Sequence, residues 1–390
     1  MTAPDAVGTP YRAAMHDRSA LGPADVSDEE LAALVADLLG APDVRLVSST
    51  ASSVPYDIPA ITTAGRYLVE GEAEIGGERR PFALFVKHVQ EWSRSPYFAA
   101  VPEEIRDVAR AAVPWRTEGA VYRSDLAAHL PEGLSMPRAL AVRDLDESSY
   151  AVWLELVPTV EAAWDLTRDV EAAELLGRFA ATPGVRGLAG IGGHDVGVRS
   201  YAAGRLTHQV LPTLRDEGIW HHPLVASSFG PLRARLLDAA DRMDALVEEV
   251  LGLPELVAHG DACSNNLLVR PDRPGFTLID FGYLAATPVG FDLNQLLVGD
   301  IQIGRRPVDD VAERHAACLA AYGDGLTAAG TDLPSATVAR SHALTLLLYT
   351  GLSSLPVEVL GQDPTPAVRD LVAARAEIAR FSLDLVDATG

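Results

Sequence analysis

Residues 259–266 read HGDACSNN and residues 278–282 read LIDFG. The motifs are joined through NLLVR (266–270) and FTLID (276–280), with the turn-forming stretch PDRPG between them. Two short runs rich in Leu, Val and Ile around a Pro- and Gly-containing turn predict a β-hairpin. Such a hairpin sets Asp261 and Asp280 against one another across a cleft. This pair of strands interrupts a long helical region, and that combination constrains the fold more than any other feature of the chain.

The rest of the sequence divides around it. Residues 1–25 read as a loose leader. SDEELAALVADLLG then predicts a helix, with Ser27 and Glu30 as a capping box and Gly40 as its stop. VRLVSST is a strand candidate, and ASSVPYDIPAITTAG, rich in Ser, Thr and Pro, is expected to be loop. RYLVEGEAEI and RRPFALFVKHV predict a hairpin around a Gly-Gly turn. PEEIRDVARAAV and TEGAVYRSDLAAHL read as helices, and RALAVRDLD with SSYAVWLELV as a second hairpin. Beyond residue 160 the pattern is mostly helical, including TVEAAWDLTRDVEAAELLGRFAAT and PLRARLLDAADRMDALVEEVLG. GVRGLAGIGGHDVGVRS reads as a loop insertion. The expected organisation is a leader (1–25), an N-terminal lobe with a preceding helical segment (26–157) and a helical C-terminal lobe (158–390).

Composition narrows the partners. A formal net charge of −22 disfavours nucleic acid, whose phosphates call for clustered Lys and Arg. The two cysteines, Cys263 and Cys318, make neither a disulfide framework nor a zinc site. The first residues show no basic region followed by an apolar run, and the longest apolar stretch, ALTLLLYTGL, is too short to span a bilayer. A cytoplasmic protein without membrane partner is expected. Only one of the 32 basic residues is lysine, Lys87. A compact ammonium differs from a guanidinium where a cation must fit a tight site.

Moving a phosphoryl group from ATP needs a cation for the phosphates, hard oxygen ligands for a divalent metal, and a base for the attacking hydroxyl. Each is present. Lys87, near the end of a predicted strand, can reach the phosphates, and Glu118, on the second following helix, can hold it by an ion pair. Asp261, after the apolar LVA, can accept the hydroxyl proton. Asn266 and Asp280 can bind magnesium through oxygen. Asp261 and Asn266 keep the five-residue spacing of a kinase catalytic loop, with Gly260 where protein kinases carry Arg.

These motifs, with FVK (85–87), TEGAVYR (117–123), WLELV (153–157) and GFDLNQLL (290–297), resemble the aminoglycoside-phosphotransferase and choline-kinase group of the protein-kinase-like superfamily. They run in that family's order over roughly residues 40–300. The resemblance implies an α+β, two-lobed protein-kinase-like fold, with a small antiparallel-sheet N-lobe, a larger, mostly helical C-lobe and ATP at the hinge. It makes Lys87 the phosphate-binding lysine and Glu118 its helix partner, Glu103 and Glu104 remaining alternatives. Glu155 and Val157, in this register or displaced by one residue, match the adenine-binding hinge. Asp261 matches the catalytic base, Asn266 and Asp280 the metal ligands, and Asp292 the carboxylate that braces the catalytic loop. His259 props that loop.

Two departures are informative. No G-x-G-x-x-G precedes Lys87, so the Ser- and Thr-rich stretch 49–65 is expected to cover the phosphates. Only YLAATPVG separates DFG from FDLNQLL, too little for a peptide-docking activation segment. ATP, Mg2+ and a small hydroxylated acceptor are therefore expected: an aminoglycoside, amino sugar, sugar or other natural product. A peptide Ser/Thr kinase of natural-product biosynthesis and a nucleotide-binding pseudokinase scaffold are the alternatives. Cys263 reads as a loop filler and the adjacent His221 and His222 as no metal pair. Asp241 and Asp244 read as a solvated helix face, and Asp300, Glu313 and Asp324 as surface carboxylates.

Overall fold

The computed structural model describes residues 16–56 and 60–390. The chain divides into two compact units, one of residues up to Arg106 with Pro137–Val157, the other of Asp107–Met136 with Pro158–Gly390. The first is a small, largely antiparallel sheet with a helix, and the second is mostly helical, so the architecture is α+β with a sheet lobe and a helical lobe.

The first unit begins with strand β1 (His16–Asp17), helix α1 (Asp28–Leu39), and strands β2 (Arg45–Ser53), β3 (Thr63–Ile75) and β4 (Glu78–Gln90). It is completed by β5 (Ala139–Asp146) and β6 (Ser149–Glu155), giving the sheet order β1-β2-β3-β4-β6-β5. Both predicted hairpins form. The Gly-Gly turn between β3 and β4 puts Gly76 at φ 58° and Gly77 at φ 86°, the left-handed conformations that a tight two-residue turn demands. Alternation then puts Val69 and Ala73 on the same face as Leu84 and Val86, all fully buried, where Leu31 and Val35 of α1 join them in one apolar cluster. The capping box of α1 is present, Ser27 receiving the Glu30 N–H while the Glu30 carboxylate receives the Ser27 N–H.

Two expectations need correction here. Residues 16–25 are not loose: β1 pairs in parallel with β2, His16 opposite Ser49. Arg18, 8 % exposed, binds the Ser49 hydroxyl, the Val26 carbonyl and the carboxylates of Asp25 and Asp28. Leu21 and Ala24 are buried in the cluster. The leader reading overlooked them because a two-residue strand carries no periodicity. Residues 1–15 of that leader lie outside the described residues. Likewise the stretch read as a Ser/Thr loop is strand at both ends, Ala51–Ser53 in β2 and Thr63–Gly65 in β3, with residues 57–59 outside the described residues.

In the second unit, α2 (Thr117–Arg123) lies in the stretch that leaves the first unit, and α3 (Leu166–Ala181) opens the helical part. The predicted helix from residue 159 starts only at Leu166. Asp165 caps it through the Arg168 N–H at 3.0 Å, while Val160 donates its N–H to the Val269 carbonyl and Trp164 stacks on Phe276. Those long-range contacts hold residues 160–164 out of the helix. The predicted helix 231–252 also breaks, at Arg242 (φ −91°, ψ 5°), whose Nε returns to Asp238. Strands β7 (Glu255–Ala258), β8 (Leu267–Val269), β9 (Phe276–Leu278) and β10 (Ala285–Pro288) follow, and then helix α4 (Leu293–Gln302). The hairpin read from the sequence is β8–β9, antiparallel with Thr277 opposite Leu268. Among the described residues no helix is long and apolar enough to cross a membrane.

Candidate active site

The second unit gathers most of the chemistry-bearing residues around the β8–β9 hairpin. Strand β7 delivers the chain to His259, which is fully buried. Its Nε2–H donates to the Ile279 carbonyl at 2.9 Å, which leaves Nδ1 to accept the Asp261 N–H at 3.3 Å. Burial holds this imidazole down to about 4, against the pull of the Asp280 charge and the Ile279 carbonyl, so it is neutral at pH 7. A neutral ring with one donor and one acceptor ties the two loops together.

Asp292, the residue before α4, is 2 % exposed. Its Oδ2 accepts the His259 N–H at 2.9 Å and its Oδ1 the Gly260 N–H at 2.8 Å. Burial pushes this carboxyl up to about 6, the two N–H donors opposing and the Asp261 charge assisting. Gly260 has φ 86°, and a Cβ there would lie 2.4 Å from the Tyr283 carbonyl oxygen. The loop after DFG comes so close that no side chain fits, which accounts for glycine at a position where protein kinases carry arginine.

Asn266 is buried and donates its Nδ2 to the Asp261 carbonyl at 2.8 Å and to Asp261 Oδ2 at 3.0 Å. The amide oxygen is therefore the end turned away from Asp261, available as a hard ligand. Asp280 has φ 63° and ψ 58°, and among the described residues it alone, glycines aside, has positive φ. That left-handed conformation costs of order 1–2 kcal/mol for a residue with a Cβ. The fully buried Phe281 packs next to it, with ring centroids 5.1 Å from His259 and 5.9 Å from Tyr122 of α2. Those contacts, and the Ile279 N–H to the Asn266 carbonyl at 3.1 Å, hold the strained turn.

The structure thus brings Asp261, Asn266, His259, Asp292 and the Asp280 turn together. Glu118 lies on α2 in the same unit, 5 % exposed. Lys87 belongs to the first unit, on β4 opposite Val152 of β6, and is 7 % exposed. Lysine is rarely that buried without a specific task or partner. Glu155 ends β6, its Oε1 accepting the Arg138 N–H at 3.1 Å, and the half-buried Val157 follows.

Several residues escaped sequence reasoning. Asp300, read as a surface carboxylate, accepts the Ser264 hydroxyl at 2.6 Å, and Arg305 donates to the Asn265 side chain at 3.0 Å. The position of Asp300 on the helix that begins after Asp292 was the one available signal. Glu313, Asp324, Asp241 and Asp244 are exposed. His221 and His222 serve helix ends, binding the Glu217 carbonyl and the Leu224 N–H. Burial raises the Cys263 thiol to about 12, so it is unreactive.

Comparison with known proteins follows the same lines. Among solved structures, the chain is similar to an amicoumacin kinase in complex with AMP-PNP, Ca2+ and Ami (13% identity, TM-score 0.47, 87% of this chain and 88% of that one). It is also similar to an aminoglycoside phosphotransferase from Alicyclobacillus acidocaldarius (16% identity, TM-score 0.46, 87% and 98%). A third is spectinomycin phosphotransferase in complex with ADP and spectinomycin (12% identity, TM-score 0.41, 93% and 98%). None of the curated proteins compared matches the chain. TM-scores below 0.5 leave the assignment to the sequence itself, in which residues 85–330, more than half of the chain, match the pattern of the phosphotransferase enzyme family. Because that match runs from the FVK strand through both loop motifs to beyond α4, the chain belongs to the phosphotransferase enzyme family (APH).

Proposed function

We propose that this phosphotransferase moves the γ-phosphate of ATP to a hydroxyl of a small molecule such as an aminoglycoside, amino sugar, sugar or other natural product. The observation that carries the small-acceptor reading is the fate of the segment after DFG. Residues 285–288 form β10 and pair with β7, Ala285 opposite Ala258 and Pro288 opposite Glu255, and Gly290 leads directly to Asp292. Half of the short connection 283–290 is taken up by this pairing, leaving too little chain for a platform on which a peptide could dock.

In this reading Asp261 accepts the proton of the attacking hydroxyl, and the Asn266 Nδ2–H fixes the orientation of its carboxylate. Asp292 and His259 hold the loop in place. One carboxylate, Asp280, and one amide oxygen, Asn266, fit a magnesium ion that keeps several of its waters and arrives with nucleotide. When bound, that ion would neutralise charge on the migrating phosphoryl group. Lys87 supplies the cation for the phosphates, and Glu155 and Val157 offer backbone groups to adenine.

Incubation with ATP, Mg2+ and a panel of aminoglycosides, sugars and peptides, read by mass spectrometry, tests the proposal. A gain of one phosphoryl group on a small alcohol is the expected result. Transfer to peptides alone would select the peptide-kinase reading. Nucleotide binding without transfer to any acceptor would select the scaffold.

A further inference from the structure

Asp292 accounts for only the first half of the loop that carries Asp261. Its two bonds go to the N–H groups of His259 and Gly260. The second half, the single turn Ser264–Asn266, carries the proposed metal ligand Asn266 and touches the same helix at its other end. There the Ser264 hydroxyl donates to Asp300 Oδ2 at 2.6 Å. Between the two carboxylates the helix comes close to the loop: a Cβ on Gly299 would lie 3.2 Å from Cys263 Cβ.

The far end of this helix is itself anchored. The Asp300 carbonyl accepts the N–H groups of Arg305 at 2.8 Å and Arg306 at 3.3 Å. Arg305 reaches back to Asn265 at 3.0 Å, and Arg306 reaches Asp169 of α3 at 2.9 Å. Asp169 is fully buried and also binds the buried Arg314 at 2.9 Å. A buried carboxylate shared by two guanidiniums is costly to break, because loss of one partner strands a charge.

From this arrangement we infer that α4 acts as a ruler for the catalytic loop, with Asp300 as a second positioning carboxylate that sets the Ser264–Asn266 turn. Asp300 follows Asp292 by eight positions, which at 1.5 Å per residue is about 12 Å of helix. The loop is held at both ends of that length. Asp300 acts through Ser264 and touches no reacting group. The inference rests on the assignment of Asn266 as a metal ligand.

The test uses Ser264→Ala, Asp300→Ala, Asp300→Asn and the Ser264→Ala/Asp300→Ala double variant of the full chain. Hydrogen exchange without ligand reads the loop, since the Cys263 and Asn266 amides bond to the Asp261 and Cys263 carbonyls. Manganese binding in the presence of AMP-PNP, followed by electron paramagnetic resonance, reads the metal site. Each alanine variant should speed exchange at Cys263 and Asn266 and weaken manganese binding, both by about 5- to 20-fold, while β4 amides stay unchanged. The double variant should match the worse single within about two-fold, because both remove one bond. Asp300→Asn keeps a carbonyl acceptor and should recover most of the loss. Multiplying effects, a silent Ser264→Ala, or faster exchange with unaltered manganese affinity would each overturn the inference. If the unaltered chain binds no manganese with AMP-PNP, the functional reading fails and this inference with it. If it binds and both alanine variants bind equally well, only the ruler fails.

Discussion

Replacing Gly260 by alanine measures how tightly the loop after DFG is pressed against the catalytic loop. Two costs add. At φ 86° a residue with a Cβ is disfavoured by about 1–2 kcal/mol. The new methyl would also sit 2.4 Å from the Tyr283 carbonyl oxygen and 2.6 Å from Tyr283 Cβ. Contact at ordinary distance requires a shift of about 1 Å, and the obstacle is backbone rather than the end of a flexible side chain. Tyr283 has little room to yield, because Phe281 is buried against His259 on one side and Ala285 is paired with Ala258 on the other. Overpacking of this kind costs about 1–3 kcal/mol, for a total of about 2–5 kcal/mol. Gly76→Ala is the control: at φ 58° it carries the conformational cost, with nothing within 4 Å of the added Cβ. Urea unfolding of both variants separates the terms, and Gly260→Ala should be the less stable by about 1–3 kcal/mol. A loop displaced by about 1 Å should also lose about 100-fold in transfer. If Gly260→Ala is no costlier than Gly76→Ala and transfers phosphate normally, the close approach described here is wrong.

Three further outcomes are expected. His259, His315 and His342 are buried and held down to about 4, 4 and 3, chiefly by desolvation, whereas an unfolded histidine titrates near 6.5. Their stability contribution is therefore complete above pH 6.5 and is lost as pH falls from there towards 4. Asp292, raised to about 6, takes up its proton in the folded state first and offsets one of the three. Urea unfolding should then show stability falling as pH is lowered from 6 to 4.5, and a flat profile would refute it. Lys87→Arg keeps the charge but not the compact ammonium at a site only 7 % exposed. It should weaken ATP use strongly with the fold intact, as judged by KM for ATP and thermal unfolding, and normal kinetics would make the lone lysine an accident of composition. Asp280→Asn removes a full charge from the proposed metal site, whereas Asn266→Ala removes a neutral amide, so Asp280→Asn should lose more transfer activity at saturating magnesium.

What the sequence revealed, and what it hid, follows from the range of the interactions involved. The Ser27–Glu30 capping box and the Gly76–Gly77 turn are local, and both were legible. The nearness of Asp261, Asn266 and Asp280 was legible, as a matter of geometry, because they flank one short hairpin whose spacing is written in the chain. Residues 16–25 were misread because their partner, Ser49 and its strand, lies more than twenty residues away. Residues 160–164 follow a helical pattern locally, but their bonds go to Val269 and Phe276, over a hundred residues on. Residues 107–136 sit between strands of the first unit yet belong to the second, which no local periodicity indicates. Asp300 looked like any polar residue on an exposed face because its partner, Ser264, is on another element.

In the proposed mechanism Asp261 accepts the proton of the acceptor hydroxyl during phosphoryl transfer. Single-turnover transfer from ATP with Mg2+, to an acceptor found by the mass-spectrometric screen, tests it most directly when the unaltered chain is compared with Asp261→Asn. Asparagine keeps the shape and can still meet the Asn266 side chain, but it takes up no proton. The transfer step should slow by roughly two to four orders of magnitude, while ATP affinity and thermal stability change little. A transfer rate within a few-fold of the unaltered chain would remove Asp261 from the mechanism.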